Sequence, residues 1–172
     1  MELIYSETLT SDAATITTGT LPTGFRSLVV DVAGKNDNSQ DQAGALEIFF
    51  NNDLTQTNYK SARMLFAPSL SSVGVKAFEQ DFPIMSSSVS SSSAPLFATT
   101  RIQIINHEQT NNYKGWQGVS QGMGSSAANR QIGKVVLGIW QNTNAITTLT
   151  VREFNGDYDL VAGSSLYVYG LK

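Results

Sequence analysis

Leu96-Phe97-Ala98-Thr99-Thr100-Arg101-Ile102-Gln103-Ile104-Ile105-Asn106 decides the fold. Phe97, Thr99, Arg101 and Gln103 fall on one side of an extended chain, and Leu96, Ala98, Ile102 and Ile104 on the other. Strand side chains point to opposite faces in turn, so a period of two marks a strand with one face on a core. A helix would need apolar positions three and four apart, and no window sustains that stripe over more than two turns.

Working outward, the same chemistry recurs. Residues 25–32 read Phe-Arg-Ser-Leu-Val-Val-Asp-Val, with Pro22 and Gly24 before them and Gly34, Asn36, Asp37 and Asn38 after. Residues 45–50 are stopped by Asn51-Asn52-Asp53, and 61–66 run towards Pro68. Residues 134–140 and 145–153 read as two more strands joined by 141–144. Asn155-Gly156 then predicts a two-residue type I′ hairpin turn, because both central residues of that turn need positive φ. The terminal strand, 165–171, sets Leu166, Val168 and Gly170 on one side. Strands at this spacing without intervening helices predict an all-β fold, a single antiparallel β-sandwich of jelly-roll type.

Two segments predict long loops: the serine run 85–95, and 115–128, where Gly115, Gly118, Gly122 and Gly124 mix with Ser and Gln. Residues 1–12 are expected to form an N-terminal arm or edge strand, and 13–172 the sandwich domain.

At 172 residues the chain can build one core without a staple, and it contains no cysteine, which excludes disulfides, thiolate metal sites and redox pairs. Only 15% of residues are charged, 11 basic against 14 acidic, where about a quarter is usual. Ser, Thr, Asn and Gln take their place, and hydroxyls and amides cost less to desolvate than ions. No basic excess offers a phosphate-neutralising face, so nucleic acid is not an expected partner. No run approaches the roughly 20 apolar residues of a membrane helix, and the start resembles no signal peptide. The expectation is a soluble protein made in a cytoplasm, with no membrane partner.

Candidate chemistry is thin. His107 is the only histidine, no G-x-S-x-G accompanies it, and it reads as a partly exposed turn residue. Glu47, Glu79, Glu108 and Glu153 are scattered, and no spacing ties two of them into a glycosidase pair. Asp31, Asn36, Asp37, Asn38 and Asp41 are rich in oxygen ligands but miss the calcium-loop template: Gln42 stands at the glycine place and no glutamate closes the loop. Asx-rich turns need no ion, since their side chains cap backbone N–H groups. No catalytic residue, cofactor or metal is therefore expected. Tyr113-Lys114-Gly115-Trp116 interleaves aromatic and basic side chains, as a sugar platform or, more ordinarily, a packed interface would. With Leu3, Ile4 and Tyr5 of the N-terminal segment, Tyr113 and Trp116 are the interface candidates. The N-terminal segment is expected to add a strand to a neighbouring chain.

The motifs resemble those of a family of tailed-bacteriophage virion proteins. The resemblance rests on 25–30, on the run 46–53 followed by Asn58-Tyr59, and on Ile102-Gln103-Ile104-Ile105-Asn106 followed by Lys114. It ends on Gly138-Ile139-Trp140, Ala145-Ile146-Thr147-Thr148-Leu149, Gly163-Ser164 and the terminal 166–171. It covers residues 20–172, with Tyr167-Val168 inserted between a Leu and the Tyr169-Gly170 that the family pattern would join. It implies a capsid decoration or cement protein, whose partners are the major capsid protein and copies of itself as a homotrimer, located on the virion. The alternative expectation is a receptor- or glycan-binding module of a tail or head fibre, with Tyr113 and Trp116 as its platform.

Overall fold

A computed structural model describes residues 1–37, 45–66, 74–79, 83–86, 88–89, 97–123 and 131–172. The strands are β1 (Glu2–Thr8), β2 (Thr15–Thr17), β3 (Ser27–Asn36), β4 (Ala45–Phe50), β5 (Tyr59–Phe66), β6 (Gly74–Glu79) and β7 (Ile84–Ser86). They continue with β8 (Ser88–Val89), β9 (Ala98–Ile105), β10 (Lys114–Met123), β11 (Gln131–Trp140), β12 (Leu149–Glu153) and β13 (Ser165–Leu171). A wide sheet runs β1-β13-β3-β9-β10-β11-β5-β6, and a four-stranded sheet runs β2-β12-β4-β7. Pairing is antiparallel, apart from a short parallel pairing of β8 with β3. The fold is the expected all-β sandwich, with sheets of unequal width.

The deciding stretch folds as β9, and its two sides separate as expected. Ala98, Ile102 and Ile104 are buried against the core, while Thr99 and Arg101 are exposed. Leu28, Val30 and Val32 of β3 and Leu166 and Val168 of β13 join the same inner side, facing Ile16, Leu46, Ile48, Phe50, Leu149 and Val151 of the narrow sheet.

Three expectations give way to the three-dimensional arrangement. Asn155-Gly156 makes no hairpin: Phe154–Gly156 is a 3-10 turn, Gly156 alone supplying a positive φ of 72°. The strands on either side belong to different sheets, β12 to the narrow one and β13 to the wide one. Residues 145–148 are not strand, because Asn51 takes their backbone groups: its Oδ1 accepts from Thr147 N (2.7 Å) and Thr148 N (3.1 Å), and its Nδ2 donates to Ala145 O (2.7 Å). Of the glycine-rich stretch 115–128, residues 115–123 belong to strand β10 rather than to a loop, and 124–128 lie outside the described residues. The glycines of β10 make room, since a Cβ on Gly118 would come within 2.5 Å of Arg101 O. Much of the serine run and of the Asx segment lies outside the described residues.

The sheets are joined by a polar clamp at the end of β4. Asn51 and Asn52 turn the chain in the left-handed region (φ 54° and 53°), which asparagine tolerates better than most residues. They deliver Asp53 to the edge of the aromatic cluster of Phe50, Tyr59 and Trp140, whose ring centroids lie 5.7–6.4 Å apart. Asp53 Oδ2 accepts from Trp140 Nε1 and Asn58 Nδ2, each at 2.8 Å, and Oδ1 from Thr55 N at 3.0 Å. Tyr59 donates to Asp53 O (3.1 Å) and its hydroxyl accepts from Phe50 N (3.1 Å). Partial burial pushes the Asp53 carboxyl up, but the hydrogen bonds from Asn58, Trp140 and Thr55 outweigh this and hold it below its ordinary value.

Asp53→Ala leaves the buried Trp140 indole N–H without its acceptor and should cost about 1–3 kcal/mol in urea denaturation. Because the folded-state pKa is lowered, the wild type holds this stability above the ordinary carboxylate range and loses it as pH falls below it. The gap between the two proteins should therefore close in acid, and a gap unchanged at pH 3 would refute the charged clamp.

Candidate functional site

The wide sheet has two faces, and the narrow sheet covers only one. The register places Val119, Val135 and Met64 side by side on the outer face, across β10, β11 and β5. One row along stand Gln117, Leu137 and Ala62; the next holds Ile105, Gly115, Ile139 and Lys60. On the other side, Phe66 stands beside Gly133. Of the twelve exposed large apolar side chains among the described residues, seven lie here, Val119 at 55% exposure and Leu137 at 49% leading them. Scattered exposed apolar residues are ordinary, whereas a contiguous group marks an interaction site.

Towards β3 and β13 the outer face turns polar. A trough of about 570 Å³ crosses it, lined by Asp31, Thr99, Arg101, Val119, Gln121 and Tyr167 among others. A second hollow of about 320 Å³ shares Arg101 and Val119 and reaches Val135 and Leu137. Arg101 is fixed by two parallel hydrogen bonds to Asp31, Nε to Oδ1 at 2.7 Å and Nη2 to Oδ2 at 2.6 Å. Two planar groups so paired direct their charges at each other along the polar edge of the face.

The residues singled out from the sequence do not converge. Leu3, Ile4 and Tyr5 lie in β1, which pairs with β13 of its own chain, so the segment is an edge strand and not a free arm. Leu3 is half exposed, while Ile4 and Tyr5 pack against the core. The Tyr5 hydroxyl donates to Glu7, and burial, aided by Glu7, pushes its pKa up to about 12. Tyr113 is exposed, but Trp116 is 3% exposed and faces the core. A Cβ on Gly138 would come within 2.3 Å of the Trp116 ring, so the indole occupies the space that this glycine leaves. No Tyr113–Trp116 platform exists, and Lys114 between them is buried, its Nζ donating to Asn112 O (2.7 Å) and Thr143 O (3.1 Å).

His107 is buried rather than partly exposed. Burial lowers its pKa, with Lys114 adding to the effect and Glu108 opposing it, so the ring is neutral at pH 7. Among the carboxylates, Glu47 accepts from Arg152 Nε (3.0 Å), and the Arg152 guanidinium lies 4.5 Å from the Phe49 ring centroid. Glu153 is buried with Oε2 unpaired, and Asn36 Nδ2 approaches its Oε1 at 3.4 Å. Burial first, then the charges of Asp157 and Glu47, pushes the Glu153 carboxyl up to about 7. Neither glutamate lines the trough. Among the described residues no three His, Asp or Glu side chains gather as metal ligands would.

The outer face was legible in part. Residues 134–140 are apolar on both sides of the strand, which is how a strand covered on both faces reads. The Asp31–Arg101 pair had no such signal, since only the β3/β9 register brings together residues 70 positions apart. Searches against protein-family models, curated proteins and solved structures found no match for the chain.

The raised Glu153 pKa means that the folded protein binds more protons than the unfolded chain between about pH 4.5 and 7. That contribution to stability is complete below 4.5 and is lost as pH rises through about 7. Glu153→Gln should therefore raise stability at pH 8, on the order of 1–3 kcal/mol, and change it little at pH 4. Equal effects at both pH values in paired denaturation curves would contradict a protonated Glu153.

Proposed function

We propose that the chain is a structural component of a bacteriophage particle, a decoration or cement-like protein that binds the capsid shell as a homo-oligomer and has no catalytic role. The observation that carries this reading is the apolar outer face of the wide sheet, which leaves Val119, Leu137 and their neighbours in water. Such a face is a cost to an isolated monomer and a gain to an assembled one. The low charge of the chain supports the same reading, because neutral amides and hydroxyls around the patch are cheaply desolvated. The motif resemblance over 20–172 supplies the particle. On a symmetric shell, modest contacts are multiplied by avidity.

Mass spectrometry of purified particles from a phage encoding the chain should find it in fixed proportion to the major capsid protein, and cryo-microscopy should place it on the outer shell. Particles that lack it overturn the reading.

Glycan recognition is the second reading, and the trough favours it: the Asp31–Arg101 ion pair, Gln121 and Tyr167 offer hydrogen-bond donors and acceptors beside an aromatic ring. On a glycan array the domain should then bind neutral oligosaccharides, and both Arg101→Ala and Tyr167→Ala should lower binding at least tenfold. An array without binders removes this reading.

A further inference from the structure

We infer that the apolar half of the outer face is a two-fold self-association surface, on which a second copy of the chain packs sheet against sheet. This rests on the assembly reading above and gives it its first oligomeric contact.

The area is sufficient. Four strands about 4.8 Å apart and eight residues long at about 3.3 Å each project onto roughly 500 Å². Pleating and side-chain relief enlarge that towards the roughly 800 Å² per partner of a standard interface. The charge pattern selects the occupant. Among the described residues of this half of the face Lys60 is the charged one, at its margin, and Arg101 on the border is paired with Asp31. A partner of opposite charge would find nothing to read here, whereas a second copy sets no like charges against each other. Apart from Phe66 the apolar side chains here are not aromatic, which suits sheet packing better than the stacking of sugars or bases.

The relief also fits a copy of itself. Gly133 lies on the outer side of β11, in the row next to Val135, and a Cβ there would meet nothing closer than 3.7 Å. Gly118 and Gly138 are different, because their own chain occupies the space at 2.5 Å and 2.2 Å. Among the described residues only the Phe66 side chain and Ser120 O come within 4 Å of that position, at ordinary contact distance, so Gly133 leaves a shallow hollow beside Val135 and Phe66. In an isologous contact, Leu137 of one copy can enter the hollow of the other, and the two-fold makes the exchange mutual.

Sedimentation of the full chain should show a reversible dimer with a dissociation constant in the micromolar range. Leu137→Glu and Val119→Glu, at positions half exposed in the monomer, should weaken it at least a hundredfold without shifting the melting temperature of the dilute protein. Leu54→Glu, exposed elsewhere, should not. The chain has no cysteine, so Val135→Cys, midway between Leu137 and Gly133 and therefore beside the two-fold, provides a clean second readout: a short bis-maleimide should link two copies, and with Leu54→Cys it should not. A wild type that stays monomeric at 1 mM overturns the inference, as does a dimer indifferent to both charged substitutions. If that monomer still binds capsids through Leu137, the face belongs to the shell protein; the assembly reading then survives and the self-association does not.

Discussion

The sandwich depends on the Asp53 clamp, where one carboxylate gathers the indole of Trp140, the amide of Asn58 and the backbone of Thr55. The four-stranded sheet offers β2, β12, β4 and β7 against a much wider partner, so burial alone leaves its lateral position weakly defined. Dispersion and the hydrophobic effect are non-directional, and they would accept Phe50 at several places along β11. The bond from Trp140 Nε1 to Asp53 is directional and fixes one of them. With that position set, Asn51 reaches the 145–148 segment and converts it from strand to an ordered crossover. One polar turn thus decides where the second sheet sits and how the chain leaves β11.

Fixing the narrow sheet over the inner face leaves the other face of the wide sheet uncovered. β11 makes the consequence plain: Val136 and Trp140 go inward, and Val135, Leu137 and Ile139 remain 39–49% exposed on the other side. A monomeric sandwich would carry polar residues at those positions, as β9 does with Thr99, Arg101 and Gln103. The outer face is therefore divided: Asp31, Thr99, Arg101 and Gln103 make it polar over β3 and most of β9, and the exposed apolar side chains gather over β11 and β5, joined by Val119 of β10 and Ile105 at the end of β9. The division follows strands, so a partner that packs along them meets a continuous apolar strip.

Strand identity was legible wherever period-two alternation met large side chains, as in β3, β9 and β13. It was hidden in β10, where glycine and serine occupy the inward positions beside Trp116 and the pattern resembles a loop. Connectivity was less legible than strand identity. Asn155-Gly156 carries the local signature of a hairpin, yet β12 pairs with β2 and β4, and β13 with β1 and β3. A turn signal reports backbone conformation and not which sheet receives the next strand. The site suffered in the same way: Trp116 was read by residue type as an interface candidate, with a sugar platform as the alternative, and its burial in the space left by Gly138 across the sheet puts it in the core.

Several ionisable groups with shifted pKa values lie in or at the edge of the interior, and the outer face of the wide sheet carries little charge. Lys114 donates to backbone carbonyls, Asp53 accepts from three donors, and Glu153 is held towards its neutral form by burial. Each holds a connection at a sheet end or a loop, where backbone groups leave the ladder and need partners. The trough crossing the outer face contains one ion pair, and that pair is closed within the chain. An interface needs shape and cheap desolvation, and those are the properties that the uncovered face retains.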